Sequence, residues 1–488
     1  MLSHSRKIVL ILSTCAWWSR AQRFDFALDH TGCVVQFSDS TDYYPSSSWA
    51  LPHSGNAQSI VNFAEDFSIE YHPLYKVLSN HQTGQTYVVH RCGTPTPDMG
   101  LVASNVSGVF TAPPAGWSTS LTATMGFLEH LGVFGSAAVL DLSLMTSPCL
   151  QALEECGAIS STGAYGGSWV GEVTNNSNIN FIDSFNTGAT GTGIDVPVDA
   201  TTEMSPLRRA EWIKFIAAFF NREPEANVVF KNISDEYHAL RDSVANENLA
   251  MPKVAFVSYS SWQGVSSWTI SDAGYKVALA EDAGAEATSG AFYSSAADAK
   301  AHLLGVDVVI DESYTAVPVT YNGTAELLQN FNFTEADISS GDFPFLSSNS
   351  IYRFDSRLSS RTSGGYTSYG WDFYEGAVVR ADYLLKDMVA AVHPSFFQPA
   401  HDMRYFRNAG VLDFDMITEA ECTEAVVLAA DKNFTPSEFC VAATLPTTVT
   451  TTTAGETNGT TTVDDVDAAS KVSIVRWTSL LALFGLFA

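Results

Sequence analysis

The sequence predicts an α/β protein with two α/β lobes bridged by one long helix and an N-terminal β-rich extension. The first reason is that short apolar strands alternate with helical patterns from about residue 105, which is the rhythm of α/β units. The second is a long helical pattern at about residues 224–245, which divides that alternation in two. The predicted units are lobe 1 at residues 105–223, an inter-lobe helix at 224–250 and lobe 2 at 251–410.

Each predicted unit has its own local signals. Residues 22–104 contain two β-rich runs separated by a turn with Gly84, which indicates a hairpin leading into lobe 1. In lobe 1, Ser205 and Pro206 fit the N-cap and first position of a helix. Lobe 2 opens after Pro252 with the buried-type strand KVAFVSYS. Because ligands of open α/β sheets lie beyond the carboxyl ends of the strands, two such sheets predict a cleft between the lobes.

The charge balance excludes two classes of partner. The chain has 25 Lys and Arg against 53 Asp and Glu, a net charge of −28. Such a chain repels nucleic acid and anionic membrane surfaces, so neither is an expected partner. Apolar residues make up 46% and charged residues 16%, which predicts that most of the chain folds.

The N-terminus predicts export. Residues 1–21 place Arg6 and Lys7 before an apolar run and end in small residues, which is the layout of a secretory signal peptide. Toward the other end, residues 411–444 are a Cys-containing C-terminal segment. Residues 445–470 are a Thr-rich stalk that cannot bury enough apolar surface to fold.

Residues 471–488 resemble a GPI-attachment signal. Small residues at 468–470 precede a short spacer and the apolar tail WTSLLALFGLFA, which is too short to span a bilayer. The alternative is a single-pass anchor that starts at Val472, and it would place Arg476 in the membrane at a cost. We therefore expect a secreted protein on the extracellular face of the plasma membrane, held by a GPI anchor.

Cysteines and glycosylation sequons agree with a secretory route. Of seven cysteines, Cys15 leaves with the signal peptide, and the even remainder predicts disulfides. The disulfide candidates are Cys33, Cys92, Cys149, Cys156, Cys422 and Cys440. Sequons for N-glycosylation lie at Asn105, Asn175, Asn232, Asn322, Asn332, Asn433 and Asn458.

Two neighbouring cysteine pairs are expected, Cys33 with Cys92 and Cys422 with Cys440. Cys149 and Cys156 lie on one predicted helix, which would separate their Cα atoms by roughly 10 Å. That separation is beyond the reach of a disulfide. Either this helix breaks or the two cysteines have other partners.

Aromatic residues in polar, Gly- and Ser-rich loops after strands are the candidate ligand contacts. Large rings have no packing reason to occupy such loops, although each could serve as a loop anchor instead. The candidates are Trp117 after the first strand of lobe 1, Tyr165 and Trp169 in GAYGGSWVGE, Tyr259, Trp262 and Trp268 in SYSSWQGVSSW, Tyr314 after VDVVIDES, and Tyr366, Tyr369 and Trp371 in SGGYTSYGW. Trp169 is expected to face Trp262 or Trp268 across the cleft.

Charged candidates are fewer. Arg353, Arg357 and Arg361 surround the last predicted strand, where a cation such as Arg357 could meet an anionic group of a ligand. The alternative is a surface ion pair such as Asp355–Arg357. The dispersed histidines form no HxH or HExxH pattern, and G-x-S-x-G, Walker and dinucleotide motifs are missing from the sequence. The sequence therefore predicts neither a resident metal nor an enzyme.

Several stretches resemble a known family. They are AEDFSIEYHPLYKVLSN and TYVVHRCGTP, TAPPAGWSTSLTATMGFLEHLG, RRAEWIKFIAAFFNREPEANVVFKNISDEYHALRDSVA, and SIYRFDSRLSSRTSGGYTSYGWDFYEGAVVRADYLLKDMVAAVHP. Together they resemble the class III periplasmic substrate-binding proteins of the iron-complex and cobalamin type, over roughly residues 40–407. The resemblance implies two lobes bridged by a rigid helix, a ligand held between them and only modest hinge motion.

The expected function follows from the resemblance and the loop aromatics. It is capture of an iron complex (a ferric siderophore), haem or a cobalamin-like ligand for uptake, with no intrinsic cofactor. The expected partners are this small-molecule metal complex, the membrane through a lipid anchor, and an uptake receptor or transporter. The alternative is an adhesive or structural cell-surface protein that uses the same fold without a small ligand.

Overall fold

The computed structural model describes residues 28–29, 32–46, 58–98, 106–157, 159, 161, 169–186, 190–363 and 365–422. Several sequence predictions concern other parts of the chain and lie outside the described residues. These are the signal peptide, the stalk, the GPI-like tail, Tyr165, Cys440, and the sequons at Asn105, Asn433 and Asn458.

The N-terminal extension is a four-stranded sheet in the order β1-β2-β3-β4. Its strands are β1 (Phe67–Tyr71), β2 (Tyr75–Asn80), β3 (Gln85–Arg91) and β4 (Gly108–Ala112). β2 and β3 form the predicted hairpin, and its turn uses Gly84 at φ 69°, a left-handed angle that glycine adopts readily. The disulfide Cys33–Cys92, a pair expected from the sequence, ties the preceding segment to this sheet.

Lobe 1 is built on a parallel sheet in the order β6-β5-β7-β8. Its strands are β5 (Trp117–Thr119), β6 (Ala137–Leu140), β7 (Ile179–Ile182) and β8 (Asp195–Pro197). Its helices are α1 (Thr122–Leu131), α2 (Pro148–Glu155), α3 (Trp169–Asn176), α4 (Pro206–Glu211) and α5 (Ile213–Ala218). As predicted, Ser205 caps α4 and Pro206 begins it, while Trp212 separates α4 from α5.

One long helix, α6 (Glu223–Asn246), connects the lobes. Its 24 residues correspond to a length of about 36 Å. The side with Val229, Ile233 and Tyr237 is buried, and α6 packs along α5 of lobe 1 and α13 (Ala381–Val392) of lobe 2. The predicted fold class, two α/β lobes bridged by one long helix after a β-rich extension, is therefore confirmed.

Lobe 2 contains a seven-stranded mixed sheet in the order β12-β10-β9-β13-β14-β17, with β11 beside β9. Its strands are β9 (Lys253–Trp262), β10 (Val265–Ser271), β11 (Glu286–Ala287), β12 (Ala291–Tyr293), β13 (Val308–Asp311), β14 (Ile351–Arg353) and β17 (Arg407–Asn408). Besides α13, its helices are α7 (Gly274–Asp282), α8 (Ala296–His302), α9 (Gly323–Asn330), α10 (Glu335–Ser340), α11 (Pro344–Ser348) and α12 (Gly376–Val379).

A small separate sheet reaches from lobe 2 toward lobe 1. It consists of the antiparallel hairpin β15 (Arg357–Ser363) and β16 (Tyr366–Trp371), together with the short strand β18 (Asp415–Met416), which pairs parallel to β15. This sheet brings the C-terminal part of the described chain to the junction of the lobes.

One continuous hydrophobic core runs through both lobes. The period of two along β9 shows how lobe 2 joins it, because Val254 and Phe256 point into this shared core. Ala255 and Val257 point the other way, into a second cluster confined to lobe 2. The lobes therefore share buried apolar surface besides their connection through α6.

Candidate functional site

Two aromatic side chains stack beside the carboxyl end of strand β13 in lobe 2, and a third interacts with them electrostatically. Tyr314 follows β13, and Tyr366 and Trp371 begin and end β16. The rings of Tyr314 and Trp371 stack with centroids 6.2 Å apart. Tyr314 is 50% exposed and covers the buried Trp371, whereas Tyr366, at the other end of β16, is 77% exposed. We name this set the aromatic shelf; it unites two predicted ligand contacts, Tyr314 and Tyr366.

The buried side of the aromatic shelf packs against other side chains of lobe 2. The ring of Trp371 packs against Phe354 and Tyr374, with centroids 5.7 and 5.8 Å away, and the Arg353 guanidinium lies 5.7 Å from its centroid. Burial raises the pKa of Tyr314, and the nearby Tyr366 raises it further. The Tyr314 hydroxyl is therefore neutral at physiological pH, able both to donate and to accept a hydrogen bond.

The arginines around the shelf are engaged by the protein itself. Arg353 is fully buried and forms ion pairs with Asp311 at 2.5 Å and Asp355 at 2.9 Å. Arg361 pairs with Glu154 of lobe 1. Both cations therefore serve internal pairs, and an anionic ligand would have to compete with a carboxylate for either.

Arg357, predicted to contact a ligand, is also engaged internally. Its buried guanidinium pairs with Asp372 at 3.1 Å and with Asp415 and Glu421. The alternative partner considered from the sequence, Asp355, instead pairs with Arg353 and Arg407. The structure therefore places Arg357, the predicted contact for an anionic ligand group, among three carboxylates of the chain itself.

The predicted aromatic contacts of lobe 1 lie in its interior. Trp117 is in strand β5 rather than in a loop, is 0% exposed, and donates its indole N–H to the carbonyl of Val133 at 2.8 Å. Trp169 begins α3 and packs against Val139 and Val173 in a small buried cluster. Neither ring has surface available to a ligand in this structure.

The aromatics of β9 and β10 differ among themselves. Trp268 is buried in the lobe 2 cluster and donates its indole N–H to the Asn330 carbonyl at 3.0 Å. Tyr259 is half-buried against it, while Trp262 is 49% exposed where β9 ends. Because Trp169 and Trp268 belong to separate buried clusters, they do not face each other as expected.

Lobe 2 holds a loop of lobe 1, residues 143–147, which follows β6. We name the hydrogen bonds from lobe 2 to this loop the grip. Ser359 and Ser368 of the β15–β16 hairpin donate their hydroxyls to the carbonyls of Met145 and Ser143, at 2.9 and 2.8 Å. Glu375 accepts the backbone N–H groups of residues 146 and 147, at 2.7 and 2.8 Å. This edge between the lobes is therefore occupied by protein contacts.

A disulfide reinforces the same edge. Cys149, in the first turn of α2, is bonded to Cys422, 273 residues further along the chain. The expected pairing of Cys422 with Cys440 is therefore wrong, because tertiary contacts bring Cys422 against lobe 1. Helix α2 is intact, and Cys149 and Cys156 are not each other's partners; Cys156 is also disulfide-bonded.

Buried carboxylates surround this contact. Glu129 accepts the Ser147 hydroxyl at 2.8 Å, and burial, the main cause, raises its pKa to about 7. Burial also raises the pKa of Glu375, and the neighbouring Asp372 and Glu129 raise it further. The junction thus contains acids that take up protons more readily than exposed acids do.

Deeper between the lobes the packing is tight. A cavity of about 10 Å³, lined by residues that include Pro206, Arg209, Tyr275 and Phe373, has room for about one water molecule. The Arg209 guanidinium of lobe 1 lies 3.4 Å from the centroid of the Tyr275 ring of lobe 2. A ligand of the expected size does not fit at this point.

Other predicted features can be placed on the described part of the chain. The sequon residues within it, Asn175, Asn232, Asn322 and Asn332, are exposed. Among the described residues, no cluster of three or more His, Cys, Asp or Glu side chains could hold a metal ion. Within the same residues, every helix is too short or too polar to cross a bilayer.

The sequence interpretation missed the grip on residues 143–147. Its contacts are serine hydroxyls, backbone groups and Glu375, which carry no motif. The alternating SRTSGGYTSYGW stretch was the available signal, because it indicates a hairpin with one polar face. It does not indicate what that face contacts.

Comparison with known sequences gives one short match. No known family profile matches the chain. A 77-residue stretch is 39% identical to an uncharacterized lipoprotein of Methanocaldococcus jannaschii, and it covers 16% of this chain. The match spans only 17% of that relative's length.

Comparison with solved structures finds distant similarity to several proteins named as solute-binding proteins. They include a possible iron-binding, periplasmic solute-binding protein of Staphylococcus epidermidis (TM-score 0.42, 11% identity, 57% of this chain and 99% of that one). A periplasmic heme-binding protein of Pseudomonas aeruginosa has a TM-score of 0.40 and 15% identity, over 60% of this chain and 97% of that one. A petrobactin-binding protein of Bacillus subtilis has a TM-score of 0.40 and 12% identity, over 57% and 93%. At this level of similarity these structures do not identify a ligand for this chain.

Proposed function

We propose that the chain is an extracellular solute-binding protein that captures an iron complex, haem or a cobalamin-like ligand at the aromatic shelf, for uptake and without catalysis. The observation that carries the proposal is the half-exposed Tyr314 stacked on the buried Trp371 beside the carboxyl end of β13, with the exposed Tyr366 close enough to interact electrostatically with Tyr314. This is the edge at which α/β sheets bind ligands.

The shelf suits a flat or macrocyclic complex. Exposed tyrosine rings supported by a buried tryptophan offer a stacking surface, and tyrosine hydroxyls can bond ligand oxygens or nitrogens. A tyrosine oxygen is also an established axial ligand of haem iron. Rigid support from below means that little side-chain freedom is lost on binding, which favours affinity.

Charge narrows the ligand further. Arg353, Arg357 and Arg361 already pair with carboxylates of the chain, and the net charge is −28. A strongly anionic complex would meet no unpaired cation among these arginines and would be repelled by the protein as a whole. We therefore favour neutral or cationic complexes, such as a neutral ferric hydroxamate or cobalamin.

A second candidate function is adhesion or a structural role at the cell surface, without a small ligand. The grip of Ser359, Ser368 and Glu375 on lobe 1 supports it, because these contacts fill one edge of the space between the lobes. The two functions differ in whether the shelf has a soluble occupant.

Titration of the purified protein with a ferric hydroxamate siderophore, haemin and cyanocobalamin tests the proposal. Tryptophan fluorescence should change with at least one of them, because Trp371 lies in the shelf. Tyr314→Ala should weaken that binding by about 1–3 kcal/mol, the scale of a lost aromatic contact. Tyr75→Ala, in the N-terminal sheet, is the control and should bind normally.

Failure of all three ligands to bind the folded protein would overturn the solute-binding proposal and favour the adhesive one. Binding that is unaffected by Tyr314→Ala and by Tyr366→Ala would place the ligand elsewhere than on the shelf.

The location is part of the proposal. We propose a GPI-anchored protein on the extracellular face of the plasma membrane, with an uptake receptor or transporter as its downstream partner. Phosphatidylinositol-specific phospholipase should release it from cells. Retention together with intact WTSLLALFGLFA peptides in mass spectra would instead support a transmembrane tail.

A further inference from the structure

A strap of residues 415–422 connects the two lobes at the edge next to the aromatic shelf. At its start, β18 pairs with β15 of lobe 2, and Arg357 of lobe 2 forms ion pairs with Asp415 at the start of the strap and with Glu421 near its end. At its other end the strap reaches helix α2 of lobe 1 and is bonded covalently through Cys422 to Cys149. The strap is thus fastened to both lobes.

The disulfide lies within two residues of the gripped loop. Ser147 caps α2, the helix that carries Cys149, and the backbone N–H of Ser147 is held by Glu375 of lobe 2. The hairpin that holds this loop through Ser368 also carries Trp371 of the shelf. Separation of the lobes along this edge would therefore do three things at once. It would strain the disulfide, break the hydrogen bonds to residues 143–147 and displace β16, the strand that carries Trp371.

We propose that the strap and the Cys149–Cys422 disulfide form a reducible latch that keeps the lobes closed along this edge. While the disulfide is intact, the hydrogen bonds to residues 143–147 can break only transiently, because the covalent link limits how far α2 moves from the strap. Once it is cleaved, residues 143–147 are held by hydrogen bonds, which are readily exchanged for bonds to water, while the Arg361–Glu154 ion pair and the shared apolar core still join the lobes. The inference concerns lobe motion and does not depend on any ligand.

Cleavage requires an external dithiol, and its chemistry is thiol–disulfide exchange. Cys149 is buried and Cys422 is half-buried, so the dithiol thiolate attacks the Cys422 sulfur, and the S–S bond breaks as a mixed disulfide forms. The second thiol of the dithiol then displaces Cys422. The dithiol leaves as a cyclic disulfide, and two electrons and two protons end on Cys149 and Cys422 as thiols.

Hydrogen–deuterium exchange of the full chain tests the latch. In a Cys149→Ser/Cys422→Ser variant, the amides of residues 146 and 147 should exchange at least tenfold faster than in the unchanged protein. A Cys33→Ser/Cys92→Ser variant removes a disulfide of the N-terminal sheet instead, and should leave these two amides unchanged. Equal exchange in the folded latch variant and the unchanged protein would overturn the proposal.

If the double variant does not fold, the same amides are measured in the unchanged protein treated with dithiothreitol, with cleaved pairs identified by mass spectrometry. Faster exchange should accompany loss of the Cys149–Cys422 pair. A Ser359→Ala/Ser368→Ala variant with its disulfides intact should exchange less than threefold faster. The inference is wrong if cleavage of Cys149–Cys422 leaves the two amides protected, or if the serine variant alone reproduces the full effect.

Discussion

Among the described residues predicted as ligand contacts, the aromatic ones of lobe 1 are buried, whereas some of those in lobe 2 are exposed. In lobe 1, Trp117 is in a strand and fully buried, with its indole N–H bonded to Val133. In lobe 2, Tyr314 and Tyr366 are open to solvent on the aromatic shelf. Both sets are aromatics near the ends of predicted strands. Their different environments show that an aromatic at a strand end predicts a ligand contact only where the chain beyond the strand reaches solvent.

Strand length explains part of the difference. β5 has three residues, and its side chains are all buried between neighbouring strands and helices. β9 has ten residues, and its last three are exposed. Lobe 2 also adds the β15–β16 hairpin, on which Tyr366 is exposed to solvent while Trp371 is buried. The proposed binding surface therefore belongs mainly to lobe 2, whereas lobe 1 contributes the gripped loop and the latch cysteine.

The largest expected effect on stability comes from removing the buried indole of Trp117 in lobe 1. Trp117→Ala should lower the free energy of unfolding by about 3–5 kcal/mol, since it leaves a cavity and an unpaired carbonyl at Val133. Urea denaturation measures the loss. Tyr366→Ala in lobe 2 is the control, with an expected change within about 0.5 kcal/mol. Equal effects of the two substitutions would show that the lobes do not differ in this respect.

The buried acids sharpen the comparison. In lobe 2, Lys276 pairs with the partly buried Glu312 at 2.6 Å, and burial still raises the pKa of this acid. In lobe 1, burial raises the pKa of Glu129 from its ordinary value of 4.5 to about 7. When the pKa of a carboxyl is higher in the folded than in the unfolded state, its contribution to stability is fully present at a pH below the unfolded-state pKa. That contribution is lost as the pH rises through the folded-state pKa. The protein should therefore lose stability, on the order of 3 kcal/mol, between about pH 4.5 and 7.5 relative to Glu129→Gln.

Urea denaturation at several pH values, with Glu129→Gln measured beside the unchanged protein, isolates this contribution from that of other acids. The glutamine cannot ionise and retains a carbonyl oxygen for the Ser147 hydroxyl. A constant difference between the two proteins from pH 5 to 8 would show that Glu129 does not titrate in this range.

The smallest expected effect is at the end of the β9–β10 pair. Trp262→Ala should change the free energy of unfolding by no more than about 0.5 kcal/mol, because its ring is half-exposed and has little packing to lose. Trp268→Ala, which empties a buried site in the same pair of strands, is the control and should be strongly destabilising. Thermal unfolding of both variants would reveal a packing role for Trp262 if they lose similar stability.

Much of the fold could be predicted from local patterns. Alternating strands and helices, the long apolar stripe of α6 and the Ser205–Pro206 helix start are all visible within short windows of sequence. The Cys33–Cys92 pair joins segments that the N-terminal sheet brings together. Only part of the site could be predicted: Tyr314 and Tyr366 are exposed together, whereas Trp117 and Trp169 are buried and Arg357 is enclosed by carboxylates. Burial depends on neighbours far along the chain, which a local window does not contain.

The sequence by itself determined the α/β class, the connecting helix and the presence of aromatics near strand ends, because each depends on residues close together along the chain. The tertiary structure alone decided which aromatics remain exposed, that Arg357 pairs with Asp372, and that Cys422 bonds to Cys149 across 273 residues. These outcomes depend on how the lobes pack against each other. Cysteine spacing favoured the nearer partner for Cys422, but a disulfide requires proximity in the folded chain. That proximity is set by the strap and the gripped loop, whose serines and backbone groups carry no local sequence signal.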